Sequence, residues 1–337
     1  MTKHLDMANL PLEPLIGGKR VGPSDSEIAP TCDPATGTTL AEIPICKADL
    51  VDEAVNSAER ALKGAWVKVT PAERGRMLSR VARLIRRNAE RLATVESLDS
   101  GKPLREVKAD IETSARYFEY YAGRADKLQG DTIPLGPDFV SFTLPESVGV
   151  TARIDRWSFP LVTMARGLAP VLAAGCTAIV KPAEQTPLTS LILADLLTEA
   201  GVPTGVVNVV CGPGPETGGH LVQHPDVAHI TFTGLVETGR LVMHAAAEHV
   251  ASMTLELGGK SPLVVEQDAN MDEALAGSLR AAFMHAGQVC SAGARLILEK
   301  SCAEAFLSQL IERVERFSFG RGLDDPDLGP IVSSEQL

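Results

Sequence analysis

The stretch GQVCSAGA, Gly287 to Ala294, sets one cysteine among small residues, just after a segment with helical character. A cysteine taken at random is more often a small buried hydrophobe than a nucleophile. Around Cys290, however, Gly287, Ser291, Ala292 and Gly293 leave room for a substrate and let backbone N–H groups approach the sulfur. Amides beside a thiol lower its pKa and can hold an oxyanion. The other five cysteines (Cys32, Cys46, Cys176, Cys211 and Cys302) lack that setting and read as packing residues. None forms C-x-x-C, and no Cys/His grouping has zinc spacing, so no metal is expected.

Three other stretches could do chemistry. In LELGGKSP, Glu256 ends an apolar strand and precedes Gly258-Gly259. A carboxylate there is ordinarily a solvated loop acid. Leaving the end of a parallel strand it would enter the crevice where open α/β sheets bind ligands, and beside a nucleophile it becomes a candidate base for activating water. FTGLVETG, Phe232 to Gly239, reads as strand, glycine turn and helix, with Phe232, Thr233, Gly234 and Gly239 as candidate cofactor contacts. That geometry suits a pyrophosphate at a helix N-terminus, although it is not G-x-G-x-x-G. In KPAEQTP, Lys181 and Glu184 could hydrogen-bond a ribose, or belong to a plain polar loop with Pro187 opening a helix.

These residues need a frame. VGVTARI, TAIVK, VVNVV, HITFTG and SMTLEL read as strands, with helical segments between them, notably 187–200 and 237–247. Such alternation predicts an α/β fold with a parallel sheet covered on both faces. Upstream, Thr70-Pro71-Ala72-Glu73 is a capping-box helix start. Met77, Leu78, Val81, Leu84, Ile85, Leu92 and Val95 continue it at helical spacing to a stop at Ser100–Pro103, and a second helix ends near Tyr117–Tyr121. Residues 1–45 read as an arm and short strands, and 125–147 as a hairpin rich in Pro and Gly turns. Beyond 258, PLVVE, a helix near 271–288, ARLILE and a helix near 303–317 begin another α/β unit.

Composition excludes several classes. The 337 residues are enough for two domains, with 45% hydrophobic and 22% charged residues, as in ordinary globular proteins. The net charge of −11, with scattered cations, argues against a nucleic-acid partner. The N-terminus has no apolar h-region, and the most apolar run, Leu168 to Val180, is too short to span a bilayer. A reducing cytoplasm is therefore expected, with Cys290 free.

RWSFP, LAAGCTAIVKPAEQTP, AGVPTGVVNVVCG, HITFTG, LELGGKSP and GQVCSAGAR follow one another in an order that resembles the aldehyde dehydrogenase superfamily. The resemblance implies a Rossmann-like open parallel sheet forming a cofactor domain from 1–124 and 148–257. An oligomerisation hairpin at 125–147 and a partial α/β catalytic domain at 258–337 complete the implied layout. It implies oxidation of an aldehyde to an acid, with Cys290 attacking the carbonyl, a nicotinamide cofactor taking the hydride, and Glu256 activating the water that releases the acid. Lys181 and Glu184 match ribose-holding positions; a carboxylate at Glu184 favours free ribose hydroxyls, hence NAD over NADP. Trp157 is placed with the cofactor residues, Ser158 with the oxyanion, and Phe159, Thr163 and Arg166 along the aldehyde tunnel.

The chain also departs from the pattern. Ser158 replaces the usual Asn, and losing an oxyanion donor costs roughly 10²–10³ in rate. Gly167 stands where many members carry a lysine, and Leu235 where a hydroxyl residue is usual. The family's downstream E-x-F-G-P stretch and the last strand of the oligomerisation sheet lie beyond the residues present, so sheet edges and apolar surface are expected to be open. That also puts the family's homo-oligomer in question here. Three readings therefore stand: a dehydrogenase with impaired turnover, a non-catalytic nucleotide- or partner-binding remnant, and an acyl-phosphate reductase of related fold. The last needs no hydrolytic base and so gives Glu256 no role.

Overall fold

The computed structural model describes residues 10–22 and 27–337. Residues 1–9 and 23–26, which are part of the expected N-terminal arm and include most of the stretch read for an export signal, lie outside them. The described chain runs β1 (Leu15–Ile16), β2 (Lys19–Arg20), β3 (Ile28–Cys32), β4 (Thr39–Pro44), α1 (Ala48–Lys63), α2 (Pro71–Arg87), α3 (Ala89–Ser100) and α4 (Leu104–Ala122). It continues through β5 (Thr132–Ile133), β6 (Ser141–Phe142), β7 (Val150–Ile154), α5 (Pro160–Ala173), β8 (Thr177–Lys181), α6 (Leu188–Glu199), β9 (Val207–Val209), α7 (Gly219–Gln223) and β10 (Val227–Gly234). Then follow α8 (Val236–Ala247), β11 (Ser252–Leu257), β12 (Pro262–Val265), α9 (Met271–Phe283), β13 (Arg295–Leu298) and α10 (Lys300–Val314).

Seven strands form the central sheet in the order β11-β10-β7-β8-β9-β1-β2. The five from β11 to β9 are parallel, and β1 and β2 close the far edge antiparallel. Every residue of β7 and β8 is buried, as strands covered on both faces must be. Alternation divides their side chains. Val150, Ala152 and Ile154 pack with Phe232, Val51 of α1 and Val242 of α8. On the opposite face Ala178 and Val180 pack beneath α5 and α6, through Leu161, Leu168, Leu191 and their neighbours. Because the strands are parallel, Ile154, Lys181, Gly234 and Leu257 all end at one edge, where the candidate residues cluster.

The expected hairpin is present as β5–β6, and β12 and β13 form a separate two-stranded parallel sheet packed on α9 and α10 through Val265, Leu275 and Phe306. Both are poorly covered: Phe139, Val140, Phe142 and Leu144 of the hairpin are exposed, as are Val264 and Ile297 of the small sheet. Among the described residues no helix is long and apolar enough to cross a membrane, and no group of side chains could hold a metal ion.

Two expectations change. The helix anticipated from Thr70 to Ser100 is two helices, although its capping box forms as read. Asn88 breaks it: its amide donates to the Leu84 carbonyl, and a side chain that competes for backbone partners ends a helix. The reading also passed over α1, whose buried Val51, Ala54, Val55 and Ala58 recur at helical spacing.

Separating α3 from α2 has a structural consequence. Glu96 and Asp99 lie three residues apart on α3 and are wholly buried. Neither α5 nor α6 has a side-chain cap of its own. Glu96 accepts from the Leu161 amide in the first turn of α5 and from the Thr189 hydroxyl, while Asp99 accepts from the Leu188 amide that opens α6 and from Thr31. Two carboxylates from one helix thus satisfy the orphan donors of two others, each at the positive end of a helix dipole. Burial nonetheless pushes both acids up to about 7, only partly offset for Glu96 by Lys102 and for Asp99 by the Thr31 bond.

Between the ordinary value of 4.5 and about 7, folded Glu96 keeps a proton that the unfolded chain releases, so its contribution to stability falls as pH rises through that window. Glu96→Gln cannot titrate. Its unfolding free energy relative to the parent is expected to rise across that window, by up to about 3 kcal/mol. Urea titrations at several pH values check this; a pH-independent difference would contradict the burial account.

Candidate active site

Lys181 ends β8 with its side chain almost fully buried. Its Nζ donates to the Pro182 carbonyl at 2.9 Å and to Glu184 Oε2 at 3.2 Å, while the stem runs beneath Gly218, where a Cβ would stand 3.3 Å from Lys181 Cδ. The Glu184 carboxylate is partly exposed. The pair therefore presents an acceptor from a fixed base. At the end of β10, Gly234 makes room for the Phe232 ring, since a Cβ there would lie 2.4 Å from it. Leu235 at the α8 N-cap offers no side-chain oxygen to the first amides.

Two of the residues read as cofactor contacts also have internal surroundings. Gly239 is a packing position: a Cβ would meet Leu257 at 2.8 Å, so its absence lets α8 approach β11. Thr233 pairs in register with Glu256, which puts its side chain on the sheet face opposite Phe232. Its hydroxyl is buried without a hydrogen-bond partner.

The loop leaving β7 carries Trp157 and Ser158, both buried. Trp157 packs edge-on against His285, ring centroids 6.0 Å apart, and clusters with Ala183 and Val332. This contact seats the Ser158 loop against the turn that leads to Cys290. Phe159 and Thr163, read as tunnel residues, are engaged internally: the Phe159 ring lies 3.8 Å from Lys102 Nζ, and the Thr163 hydroxyl donates to the Phe159 and Pro160 carbonyls.

Cys290 is a free thiol, half-buried. The backbone before it is strained, with His285 at φ 51°, Ala286 at φ 54° and Gly287 at φ 79°. Consecutive left-handed residues other than glycine cost on the order of 1–3 kcal/mol each, and persist only where the surroundings enforce them. Several contacts do so here. Glu106 on α4 accepts from the His285 amide at 3.0 Å. Gln288 donates to the carbonyls of His285 and Pro330 and accepts from the Val332 amide. Burial, with Lys102 nearby, holds the His285 imidazole well below its ordinary value, hence neutral.

Glu256 stands on β11 beside Thr254, on the face shared with Thr231 and Arg153. These residues line an open groove of about 430 Å³ together with Arg166 and Gly167 of α5. Arg166, read as a tunnel residue, has its Nη1 3.9 Å from Glu256 Oε2. Beneath them Arg153 and Asp155 form a buried ion pair at 2.8 Å. Burial draws both toward neutrality while each opposes that in the other. The glycine at 167 now has a reason: a Cβ there would sit 1.9 Å from Arg153 Nη1, so the guanidinium fills the space a side chain would need.

The structure thus joins Lys181 with Glu184, Arg166 with Glu256, and the Ser158 loop with the Cys290 turn; no hydrogen bond joins Cys290 to Glu256. Sequence reasoning missed Glu96, Asp99, Lys102, Glu106 and Arg153, and took His285 for a lining or packing residue. The run ESLDSGK held a signal for the first three, since acids and a lysine flanked by buried Leu92, Val95 and Val107 must find partners. Nothing local marks Glu106 or Arg153, whose partners lie far along the chain.

A sequence model described as the aldehyde dehydrogenase family matches residues 21–337. Betaine aldehyde dehydrogenase of Bacillus subtilis (strain 168) is 42% identical over 324 residues, covering 95% of this chain and 66% of that protein. The (Z)-2-((N-methylformamido)methylene)-5-hydroxybutyrolactone dehydrogenase of Acinetobacter baylyi is 42% identical over 307 residues, covering 90% and 63%. Betaine aldehyde dehydrogenase from Staphylococcus aureus in complex with NAD+ superposes with a TM-score of 0.95 at 36% identity, covering 98% of this chain and 66% of that one. The chain therefore spans slightly less than two thirds of the length of these relatives. With its parallel sheet, strand-end residues and strained cysteine turn accounted for, the chain belongs to the aldehyde dehydrogenase family.

Proposed function

We propose that this chain takes part in the NAD-dependent oxidation of an aldehyde to a carboxylic acid, with Cys290 as nucleophile and Glu256 as the base for hydrolysis. One observation carries the reading: Ser158, Lys181, Gly234 and Glu256 leave the same edge of one parallel sheet, and the Cys290 turn is fastened to that edge through Trp157 and His285. Open sheets of this type bind ligands there. The betaine aldehyde dehydrogenases among its relatives are named for the same reaction class, and one was solved with NAD+.

Lys181 and Glu184 fit an adenosine ribose. The lysine is anchored by a backbone carbonyl, and the half-exposed carboxylate offers an acceptor for hydroxyls while repelling a 2′-phosphate. The uncapped first turn of α8 fits a pyrophosphate. When bound, NAD supplies the hydride acceptor. The residues of the chain do the rest. The Cys290 thiolate adds to the aldehyde carbon, and the Cys290 amide with the Ser158 hydroxyl faces the developing oxyanion. After oxidation the carbonyl carbon is held as a Cys290 thioester. Glu256, released from Arg166, takes a proton from water as the hydroxide adds, and the thiolate leaves. We assign residues up to 257, apart from the 125–147 hairpin, to the cofactor half and those from 258 onward to the catalytic half. A cytoplasmic location belongs to the same reading.

NADH formation from a panel of aldehydes, betaine aldehyde included, tests the proposal. Cys290→Ser is expected to abolish turnover, and Glu256→Gln to leave a single burst followed by a stalled thioester visible by intact mass. Ser158→Asn is expected to raise kcat by roughly a hundredfold, because an amide reaches further than a hydroxyl. Robust turnover in the parent with no gain in Ser158→Asn contradicts the impairment, and turnover in Cys290→Ser contradicts the mechanism. Calorimetry is expected to show NAD binding more tightly than NADP, with Glu184→Gln narrowing the difference.

A further inference from the structure

We propose that Glu106 is a positioning residue for the nucleophile turn: its carboxylate holds the His285 amide and so keeps the strained 285–287 backbone that presents Cys290. The inference rests on the reading of Cys290 as nucleophile, but its geometry stands apart from any turnover. Glu106 and His285 lie 179 residues apart and meet at 3.0 Å. Glu106 occupies the first turn of α4, a rigid helix packed on α2, α3 and α5, so its oxygen is a fixed point. His285 and Ala286 are left-handed without being glycine, and a turn of that kind relaxes unless something outside it holds it.

The remaining contacts explain why one acceptor matters so much. The Gln288 side chain ties the turn to the Pro330–Val332 segment, and Trp157 closes on the His285 ring. The His285 amide points the other way, toward α4, where Glu106 alone receives it. The groups facing Glu106 are Lys102, Asp110 and Arg105 of its own helix turn and approach. Lys102 is wholly buried, bonded to Asp110 and set over the Phe159 ring. The same buried ammonium therefore borders Glu106, the residue after Ser158, and His285, so the oxyanion loop and the nucleophile turn are registered from one helix. Glu106 touches neither substrate nor sulfur in this scheme. It acts through the backbone.

Hydrogen–deuterium exchange of peptides spanning 284–290 reads the clamp directly. Glu106→Ala is expected to raise exchange there by roughly tenfold, while peptides of β7 and β8 keep the parental rate. Glu106→Gln retains an acceptor oxygen and is expected to restore protection. Glu106→Asp retains the charge and the helix-start preference but falls short of the amide, and is expected to behave like Glu106→Ala even if the alanine variant folds poorly. The pH profile of iodoacetamide alkylation at Cys290, resolved by peptide mass with the half-buried Cys32 as internal reference, is expected to move upward in Glu106→Ala and Glu106→Asp and not in Glu106→Gln. Unchanged exchange in both shortened variants, or a glutamine variant no better than alanine, overturns the proposal. An unreactive Cys290 in the parent, with the exchange pattern as expected, would instead count against the nucleophile assignment alone.

Discussion

Helix α3 sets the geometry of everything at the sheet edge, through two buried carboxylates. Glu96 and Asp99 reach across to the uncapped amino ends of α5 and α6. α5 begins two residues after Ser158 and carries Arg166 and Gly167; α6 begins four residues after Glu184. Moving α3 would therefore move both the Ser158 loop and the Lys181–Glu184 loop. Burying the two acids works against their charge, and the helix dipoles and four hydrogen bonds offset that cost only in this arrangement. Lys102, one turn beyond, extends the same polar seam to Asp110, Phe159 and the neighbourhood of His285.

A second constraint lies under the groove. Arg153 is buried beside Asp155, and its guanidinium occupies the place of a side chain at position 167. A glycine that departs from the family pattern is thereby explained by a neighbour in the sheet rather than by loss of a part. Arg166 adds a second guanidinium at the rim and engages Glu256. Two arginines and two acids thus meet in and beneath the groove.

The same fold leaves surfaces uncovered. The β5–β6 hairpin shows Phe139, Val140 and Phe142 to solvent, and the β12–β13 sheet has two open edges with Val264 and Ile297 exposed. Open strand edges and apolar patches of this kind are pairing surfaces. They lie away from the α3 seam, where one apolar cluster packs β8 and β9 beneath α5 and α6 and a second packs β7 and β10 against α1 and α8.

Much of this was legible in the residues themselves. Alternating strand and helix patterns gave the parallel sheet, because side-chain period is a local property of the chain. The capping box at Thr70 and the small-residue setting of Cys290 are also local, and each was readable, whereas Lys181 and Glu184 were singled out without their pairing. Asn88 as a helix break was harder, since an apolar stripe continues past it. What the sequence could not carry were interactions between residues far apart along the chain. Glu106 meets His285 across 179 positions, Glu96 meets Leu161 across 65, and Arg153 meets Gly167 only because β7 and α5 pack face to face. Local spacing determines which faces are apolar and where chains turn; only packing decides which buried charge finds which amide, because a carboxylate or guanidinium taken out of water must accept whatever partner the assembled fold brings within reach.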